Sequence, residues 1–245
     1  MENPFAKYLE KQNYSNFDLK AVLFDMDGVL FDSMKWHAKT WKQTMDEYNI
    51  HSEEDEFYLY EGMVGTQTID LIIQREQNRK AGEDERAEIY KRKSTLFAEM
   101  NDGALIPNAV DMVKKVAGYD LSCVIVTGSG QASLLDNVTK KFGGLFTKDK
   151  MVTAHDVTNG KPHPEPYIKG LLKAGGLKPN QAIVVENAPR GIEAAVAAGI
   201  FTIAINTGPL DPQVLSDSGA DIVLPSMKEL YLKFDEYFKI MNKTK

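Results

Sequence analysis

Short apolar runs rich in Val, Ile and Leu recur along the chain, and each is followed by turn residues and then by a stretch of helical periodicity. Such runs are typical of strands that are buried on both faces of a parallel sheet. They predict strands at residues 21–24, 122–126, 182–185, 201–205 and 222–224. Because strands and helices alternate, we predict an α/β fold with a doubly wound parallel sheet.

The interval between the first two predicted strands is far longer than one crossover helix requires. Its pattern is helical from Trp36 to about Met100, with polar breaks and no strand-like alternation. The simplest interpretation is a small helical domain inserted after the first strand. We therefore predict a core formed by residues 1–34 and 101–245 and an inserted helical domain at residues 35–100, which we call the cap.

Composition narrows the classes of partner. The 245 residues include 29 Lys+Arg against 35 Asp+Glu, so the chain lacks the basic excess expected of a nucleic-acid binder. No segment approaches the roughly 18 consecutive apolar residues of a membrane span, and the start of the chain does not resemble a secretory signal. We expect a cytoplasmic protein that acts on a small soluble substrate, with no nucleic acid and no membrane as partner.

Polar residues directly follow three of the predicted strands. Ligands of open parallel sheets bind beyond the carboxyl ends of the strands, which makes these positions the ones to consider. Together with a lysine that precedes a predicted helix, the candidates are Asp25, Asp27, Thr127, Gly128, Ser129, Lys161, Glu186 and Asn187. We expect them to converge on one edge of the sheet.

The first two candidates suit the transfer of a phosphoryl group. A carboxylate such as Asp25 can attack phosphorus to give an aspartyl-phosphate, which divides a difficult displacement into two easier ones. Asp27 can protonate the leaving group and later take a proton from the attacking water. Gly28 lets the backbone bend, so that both acids can face one ligand. These residues therefore predict a nucleophile at Asp25 and an acid/base at Asp27.

The remaining candidates can offset the negative charge of a phosphate, either directly or by binding a cation. Mg²⁺ prefers oxygen ligands, which Asp25, Asn187 and the backbone carbonyl of Asp27 can supply, with Glu186 as a further candidate. Thr127, Gly128, Ser129 and Lys161 are predicted to hold the phosphate. Each part has another explanation when it stands alone: Asp-x-Asp-Gly is common in turns and in calcium loops, and a lone lysine is usually solvated. Their conjunction at strand ends is more specific.

Four segments carry these candidates: residues 24–33, 126–129, 160–167 and 185–195. In order and composition they resemble the four motifs of the haloacid dehalogenase superfamily of phosphatases, and the resemblance covers essentially the whole chain. It implies a Rossmann-like core, a mobile cap over the site, obligatory Mg²⁺ and an aspartyl-phosphate intermediate.

The cap resembles that of the β-phosphoglucomutase-like branch, in which His37, Trp41 and residues 91–93 find counterparts. The cap is therefore where we expect substrate choice to lie. The candidates for substrate binding are His37, Glu61, Tyr90 and Lys93, of which Tyr90 and Lys93 are three residues apart and would share a helix face.

Two features depart from the family pattern. The fourth motif usually ends in an acid, but Asn187 follows Glu186 here. The mutases grip a sugar phosphate with a basic cap loop, whereas this loop carries Glu61, and a carboxylate can help to bind an anion only through a cation. Within the superfamily the chain most resembles the bacterial inorganic pyrophosphatases.

The leading hypothesis is thus a magnesium-dependent pyrophosphatase. Two alternatives remain at this stage. One is a sugar-phosphate phosphatase or mutase of the same fold, and the other is a non-catalytic phosphate-binding regulatory protein, which the complete set of motifs disfavours.

Overall fold

A computed structural model describes residues 3–130 and 132–242, and of residues 132–136 only the backbone. All six strands of its sheet are parallel, in the order β3-β2-β1-β4-β5-β6. The strands are β1 Ala21–Phe24, β2 Ser122–Val126, β3 Met151–Val152, β4 Ala182–Glu186, β5 Phe201–Ile205 and β6 Ile222–Leu224.

Helices connect the strands and form the long insertion. The α-helices are α1 Pro4–Lys11, α2 Met34–Glu47, α3 Gly65–Gln77, α4 Glu83–Met100, α5 Ala109–Gly118, α6 Ala132–Lys141, α7 Glu165–Lys173, α8 Pro189–Ala197, α9 Pro212–Asp217 and α10 Met227–Met241. Short 3₁₀ helices lie at Asp55–Tyr58, Lys148–Lys150, Ala154–Asp156 and Pro179–Gln181. Within the described residues, no helix combines the length and the apolar composition of a membrane span.

The sheet confirms the predicted fold class, and four of the five predicted strands have the predicted bounds. The strand predicted at residues 182–185 extends by one residue, so Glu186 ends β4 rather than following it. Strand β3 was missed because two residues at the edge of the sheet are too short to show a pattern.

The sheet is buried on both faces because successive side chains of each strand point in opposite directions. On β1, Val22 and Phe24 join the larger hydrophobic cluster, which helices α1, α5 and α10 cover. Ala21 and Leu23 join a second cluster with residues of α7 and α8. This two-sided burial explains why the strands have continuous apolar runs rather than an alternating pattern.

The segment between β1 and α5 is helical, as its sequence pattern predicts, and has a hydrophobic cluster of its own. Trp41, Phe57, Ile69 and Ile89 are among the buried residues of this cluster, which brings α2, α3 and α4 together. Trp36, by contrast, packs against the larger core cluster, and its indole nitrogen donates to Asp102 at 3.4 Å. Trp36 therefore stands at the junction of the cap with the core. The division of the chain into two domains at residues 34 and 101 stays a prediction.

Helix α7 packs tightly against the two strands that precede the candidate residues. A Cβ atom at Gly170 would lie 2.5 Å from Leu23 Cδ2 and 2.9 Å from Val126 Cγ2, too close for either side chain to remain in place. A Cβ atom at Gly118, the last residue of α5, would meet no atom within 4 Å. These two helical glycines therefore differ in their surroundings.

We predict that Gly170→Ala lowers the free energy of unfolding by about 1–3 kcal/mol, because the added methyl group overpacks the space between α7 and the sheet. Gly118→Ala is the matched control, and its stability should be unchanged or raised by up to about 1 kcal/mol. Urea unfolding of both variants measures the difference. Equal stabilities would show that α7 packs less closely against β1 and β2 than the structure describes.

Candidate active site

The candidate residues of the core meet at the carboxyl edge of the sheet. Asp25 directly follows β1, and its backbone N–H still pairs with Val185 of β4 at 3.0 Å. Thr127 follows β2 and is held in the same way by Val152 of β3, at 2.9 Å. Because strand pairing continues into these residues, their side chains are fixed by the sheet.

A buried lysine joins two of the acids. Lys161 Nζ lies 2.5 Å from Asp25 Oδ1 and 2.7 Å from Glu186 Oε1, and all three side chains are almost completely buried. Burial raises the pKa of Asp25, which Lys161 opposes and Glu186 reinforces, to about 8. Burial alone would lower the pKa of Lys161, but the two carboxylates outweigh it and raise that pKa above its ordinary value. The lysine therefore stays charged between the two acids.

Glu186 has donors at both of its oxygen atoms. Oε1 accepts from Lys161 and from the hydroxyl of Tyr167 at 2.7 Å, whereas Oε2 accepts from the backbone N–H groups of Asn187 and Ala188 at 2.9 and 3.3 Å. A Cβ atom at Gly191 would lie 1.7 Å from Oε1, so α8 also approaches this carboxylate closely. With these donors in place Glu186 is suited to position Lys161, and it is a poorer candidate for a metal ligand than Asn187.

Asp27 faces a chain of donors from the cap. Its Oδ1 accepts from the hydroxyl of Ser33 at 2.6 Å and lies 3.3 Å from His37 Nε2, while His37 Nδ1 lies 2.6 Å from Lys93 Nζ. Since the ionised Asp27 can only accept, His37 Nε2 carries the proton that points to it, and Nδ1 accepts from Lys93. Burial raises the pKa of Asp27, but His37 and Ser33 outweigh it, and the net pKa is lowered.

The two basic side chains of the cap, Lys93 and His37, are buried, and burial lowers the pKa of both. Lys93 is 2 % exposed, and burial lowers its pKa to about 7, against the smaller effect of Asp27. Burial and then the charge of Lys93 lower the pKa of His37. The ammonium group lies over the rings of Phe97 and Trp41, 4.7 and 5.2 Å from their centroids. Cation–π contacts of this kind hold the side chain beside the site.

The segment from Thr127 to Ser129 forms a tight turn under the cap. The N–H of Ser129 donates to the Thr127 hydroxyl at 3.0 Å. A Cβ atom at Gly128 would lie 2.4 Å from the carbonyl oxygen of Gly62, so only a residue without a side chain lets the cap loop come this close. The same loop approaches Lys161, whose Cδ would lie 2.9 Å from a Cβ atom at Gly62.

Glu61 enters the site from the cap. Its side chain is 7 % exposed, and its Oε2 accepts from Asn187 Nδ2 at 2.8 Å. The backbone beside this pair is Gly28, whose φ of 78° favours glycine. A Cβ atom there would lie 2.0 Å from Asn187 Nδ2 and 3.1 Å from Glu61 Oε1. Burial, followed by the charges of Asp25 and Glu186, raises the pKa of Glu61 well above 4.5.

The oxygen atoms of this pair point to a cation. Glu61 Oε1 and Asn187 Oδ1 are both buried and lack a hydrogen-bond partner among the described residues. A buried oxygen without a donor is costly, and a hard cation would satisfy both atoms and lower the electrostatic cost of the nearby carboxylates. The described residues contain no cluster of three or more His, Cys, Asp or Glu side chains arranged for a metal. The donors are instead mixed, with carboxylate, amide and carbonyl oxygens, a set that fits Mg²⁺.

A cavity of about 60 Å³ lies between the cap and the core. Nine of the predicted residues line it: Asp25, Asp27, His37, Glu61, Tyr90, Lys93, Thr127, Gly128 and Ser129. Its cap side also includes apolar and aromatic residues, namely Met34, Trp41, Phe57, Tyr60 and Met63. Lys161, Glu186 and Asn187 are not among the residues that line the cavity. Lys161 contacts Asp25, Asn187 contacts Glu61, and Glu186 is linked to them through Lys161 and the backbone of Asn187. The structure thus brings all the predicted site residues together, and their roles stay predictions.

Two residues of the site were missed by reasoning from sequence. Tyr167 is fully buried, and its hydroxyl donates to Glu186, although in sequence it reads as one more apolar position of a helix. Ser33 precedes α2 and reads as its N-cap, but its hydroxyl goes to Asp27 instead of to the helix. The sequence signal for Ser33 was its place as the last residue of the first motif segment, residues 24–33.

Comparison with known proteins places this geometry in a family. The model of the haloacid dehalogenase-like hydrolases matches residues 22–205. The chain belongs to this hydrolase family. A solved structure from Bacteroides vulgatus, assigned provisionally as a β-phosphoglucomutase, is 42 % identical and has a TM-score of 0.94, covering 98 % of this chain and 97 % of the other.

More distant relatives of this haloacid dehalogenase-like hydrolase differ in substrate. Hexitol phosphatase A of Escherichia coli is 28 % identical over 86 % of this chain and 93 % of its own length. Pyrophosphatase PpaX of Oceanobacillus iheyensis is 23 % identical over 86 % of this chain and 95 % of its own length. Membership of the family is therefore shown, whereas the choice between these substrates depends on the site.

The raised pKa of Glu61 makes the stability of the Mg²⁺-free hydrolase depend on pH. The folded protein holds a proton on this carboxyl more tightly than the unfolded chain does. The contribution of this carboxyl group to stability is therefore fully present below about pH 4.5, its ordinary pKa. That contribution is lost as pH rises towards the raised pKa of the folded state. Asp25 has a shift in the same direction and contributes to the same loss.

We predict that Glu61→Gln raises the Tm at pH 7.5 without Mg²⁺ by about 2–4 °C, since a neutral amide avoids the cost of the buried acid. The difference should shrink as pH falls towards 5, and differential scanning calorimetry in EDTA would measure both. Identical melting of the variant and the wild type across this range would mean that Glu61 is solvated when no cation is present.

Proposed function

We propose that the protein is a magnesium-dependent phosphohydrolase that forms an aspartyl-phosphate on Asp25, with inorganic pyrophosphate as its substrate. The observation that carries the proposal is the approach of Glu61 to Asn187, where an acid from the cap joins the acids of the core. It restores a carboxylate at the place where the family pattern has one and this chain has an amide.

The first step is attack by Asp25. Lys161 holds Oδ1, so Oδ2 forms the new bond to phosphorus while the bond between phosphorus and the bridging oxygen breaks. Asp27 gives a proton to that oxygen. An anionic phosphate beside Asp27 raises the pKa that His37 and Ser33 lower, which allows the carboxyl to be protonated when substrate is present.

The second step reverses these roles. Water attacks the phosphorus of the aspartyl-phosphate, Asp27 takes the proton of the water, and the bond to Asp25 breaks. Lys161, Thr127 and Ser129 stay in place as donors to the phosphoryl oxygens. Asp25, Asn187, Glu61 and the Asp27 carbonyl would hold Mg²⁺, which when bound offsets the negative charge on the transferring group.

The charge of the cavity supports an anionic leaving group. Lys93 and His37 face Asp27 from the cap and can bind a leaving phosphate, and an anion would restore the charge that burial removes from both groups. The relative from Oceanobacillus is a pyrophosphatase, in keeping with this substrate.

A second candidate is a phosphatase for a sugar or polyol phosphate. The aromatic and apolar residues on the cap side of the cavity favour it, because pyrophosphate has no carbon skeleton to pack against Trp41, Tyr60 or Tyr90. The hexitol phosphatase among the relatives points in the same direction. Phosphate release from pyrophosphate, measured beside a panel of hexose and hexitol phosphates at equal Mg²⁺, decides between the candidates.

We predict that Asp25→Asn removes essentially all turnover and leaves the fold intact, because every cycle passes through covalent attack by this carboxylate. Asp27→Asn should retain Mg²⁺ binding through the unchanged backbone carbonyl and lose turnover by a factor on the order of 10² or more. Steady-state rates and far-UV circular dichroism test both variants. Turnover of Asp25→Asn within about tenfold of wild type would contradict the assignment of the nucleophile.

We also predict that Glu61→Ala lowers pyrophosphate turnover more than it lowers hydrolysis of a small organic phosphate ester. Closure around a short, highly charged substrate depends on the charge that Glu61 brings to the cation, and an ester places less negative charge there. Kinetics of wild type and variant on both substrates measure the ratio. An equal decrease on the two substrates would argue against pyrophosphate specificity while leaving the hydrolase assignment unaffected.

A further inference from the structure

The loop after β5, residues 206–210, lies outside the four sequence motifs and contacts two parts of the site. It is anchored to the sheet, since the N–H of Asn206 donates to Leu224 of β6 at 2.8 Å. The side-chain amide of Asn206 donates to the carbonyl of Leu210 at 2.9 Å and closes the loop on itself. The loop is therefore a fixed surface against which other segments can be placed.

The first contact is with the turn that contains Asp27. The hydroxyl of Thr207 donates to the carbonyl of Gly28 at 2.6 Å, and the N–H of Gly28 donates to the carbonyl of Phe31 at 2.8 Å. Both backbone polar groups of Gly28 are thus held, in a left-handed conformation that few other residues adopt. The N–H of Gly28 lies in the same peptide plane as the Asp27 carbonyl, so its bond to Phe31 fixes the direction of that carbonyl. The bond from Thr207 holds the next peptide plane, and with it the left-handed conformation of Gly28 on which the turn depends.

The second contact is with the cap. A Cβ atom at Gly208 would lie 3.1 Å from Cδ1 and 3.4 Å from Cε1 of Tyr58, so the tyrosine ring lies against the Gly208 backbone. Gly208 does not have a positive φ, and its backbone conformation would accept other residues. The ring, rather than the backbone, therefore explains a glycine here. Tyr58 ends the 3₁₀ helix three residues before Glu61, in the segment that carries Glu61 into the site.

We propose that this loop couples cap closure to the turn at Asp27. Thr207 acts, through Gly28, as a positioning residue for the Asp27 carbonyl. The Tyr58 ring packs against the Gly208 backbone when Glu61 contacts Asn187. The inference rests on the proposed function, because the Asp27 carbonyl and Glu61 are proposed as ligands of Mg²⁺.

The role of Thr207 is tested by Mg²⁺ binding. Thr207→Val removes the hydroxyl and keeps the shape of the side chain, whereas Thr207→Ser keeps the hydroxyl. Isothermal titration calorimetry with MgCl₂ should show binding about threefold to tenfold weaker for the valine variant, the range expected for one lost hydrogen bond, and within about twofold of wild type for the serine variant. Equal affinity of all three proteins overturns the role of Thr207. Absence of Mg²⁺ binding by the wild type overturns the proposed function as well.

The role of Gly208 is tested by a double-mutant cycle on pyrophosphate hydrolysis. Gly208→Val places two methyl groups against the Tyr58 ring, and we expect kcat/KM to fall about tenfold, as overpacking shifts the cap away from closure. In a Tyr58→Ala background the ring is absent, and the same valine should change kcat/KM by less than about twofold. An equal loss in both backgrounds would show that Gly208 does not act through Tyr58 and would overturn this half of the proposal. The cycle stays decisive if Thr207→Val fails to fold.

Discussion

The structure depends most on how it balances buried negative charge at the carboxyl edge of the sheet. Asp25, Asp27, Glu61 and Glu186 are all at least nine-tenths buried, and Lys161 alone pairs with two of them. Like charges at close range in a medium of low polarity repel strongly, so such a cluster needs compensation from every side. Tyr167 and two backbone N–H groups donate hydrogen bonds to Glu186, while Ser33 and His37 donate to Asp27. Glu61 Oε1 and Asn187 Oδ1 have no donor in the part of the chain that the structure describes, and a cation would complete this balance.

This balance also controls how the cap meets the core. The cap has a hydrophobic cluster of its own, although Trp36 and Phe97 of the cap helices pack into the larger cluster of the sheet. The contacts between cap and core at the site are close and mostly polar, and they depend on glycines at positions 28, 62 and 128, where a side chain would collide. The fit of the cap to the core at the site is therefore set by charge and by shape at one loop. In the proposed function, a substrate and cation that supply the missing charge would strengthen these contacts, and their removal would weaken them.

In the proposed function, the core and the cap contact different parts of either candidate substrate. In the proposed reaction, a phosphoryl group placed against Asp25 would meet Lys161, Thr127 and Ser129 whatever it is attached to, so the core would carry the chemistry. The leaving group would meet the cap, where Lys93 and His37 offer charge and the aromatic residues offer apolar surface. Pyrophosphate would use the first kind of contact and a polyol phosphate the second. The proposed function therefore assigns substrate choice to the cap, and the names of two relatives, a hexitol phosphatase and a pyrophosphatase, show that substrates differ within the family.

The sequence by itself determined five of the six strands, the helical insertion and the convergence of the acids, because buried apolar runs and the turn residues after them are local signals. It also indicated Glu61 as an acid that needs a cation. What only the tertiary structure decided depends on which elements become neighbours. The oxygens of Glu186 accept from Lys161, Tyr167 and backbone N–H groups, and Trp36 packs towards the core. Thr207 donates to Gly28 from the loop after β5, which lies far away in sequence. None of these contacts leaves a pattern in the chain, because a hydrogen bond between distant residues is set by the packing of the sheet and not by the sequence around either partner.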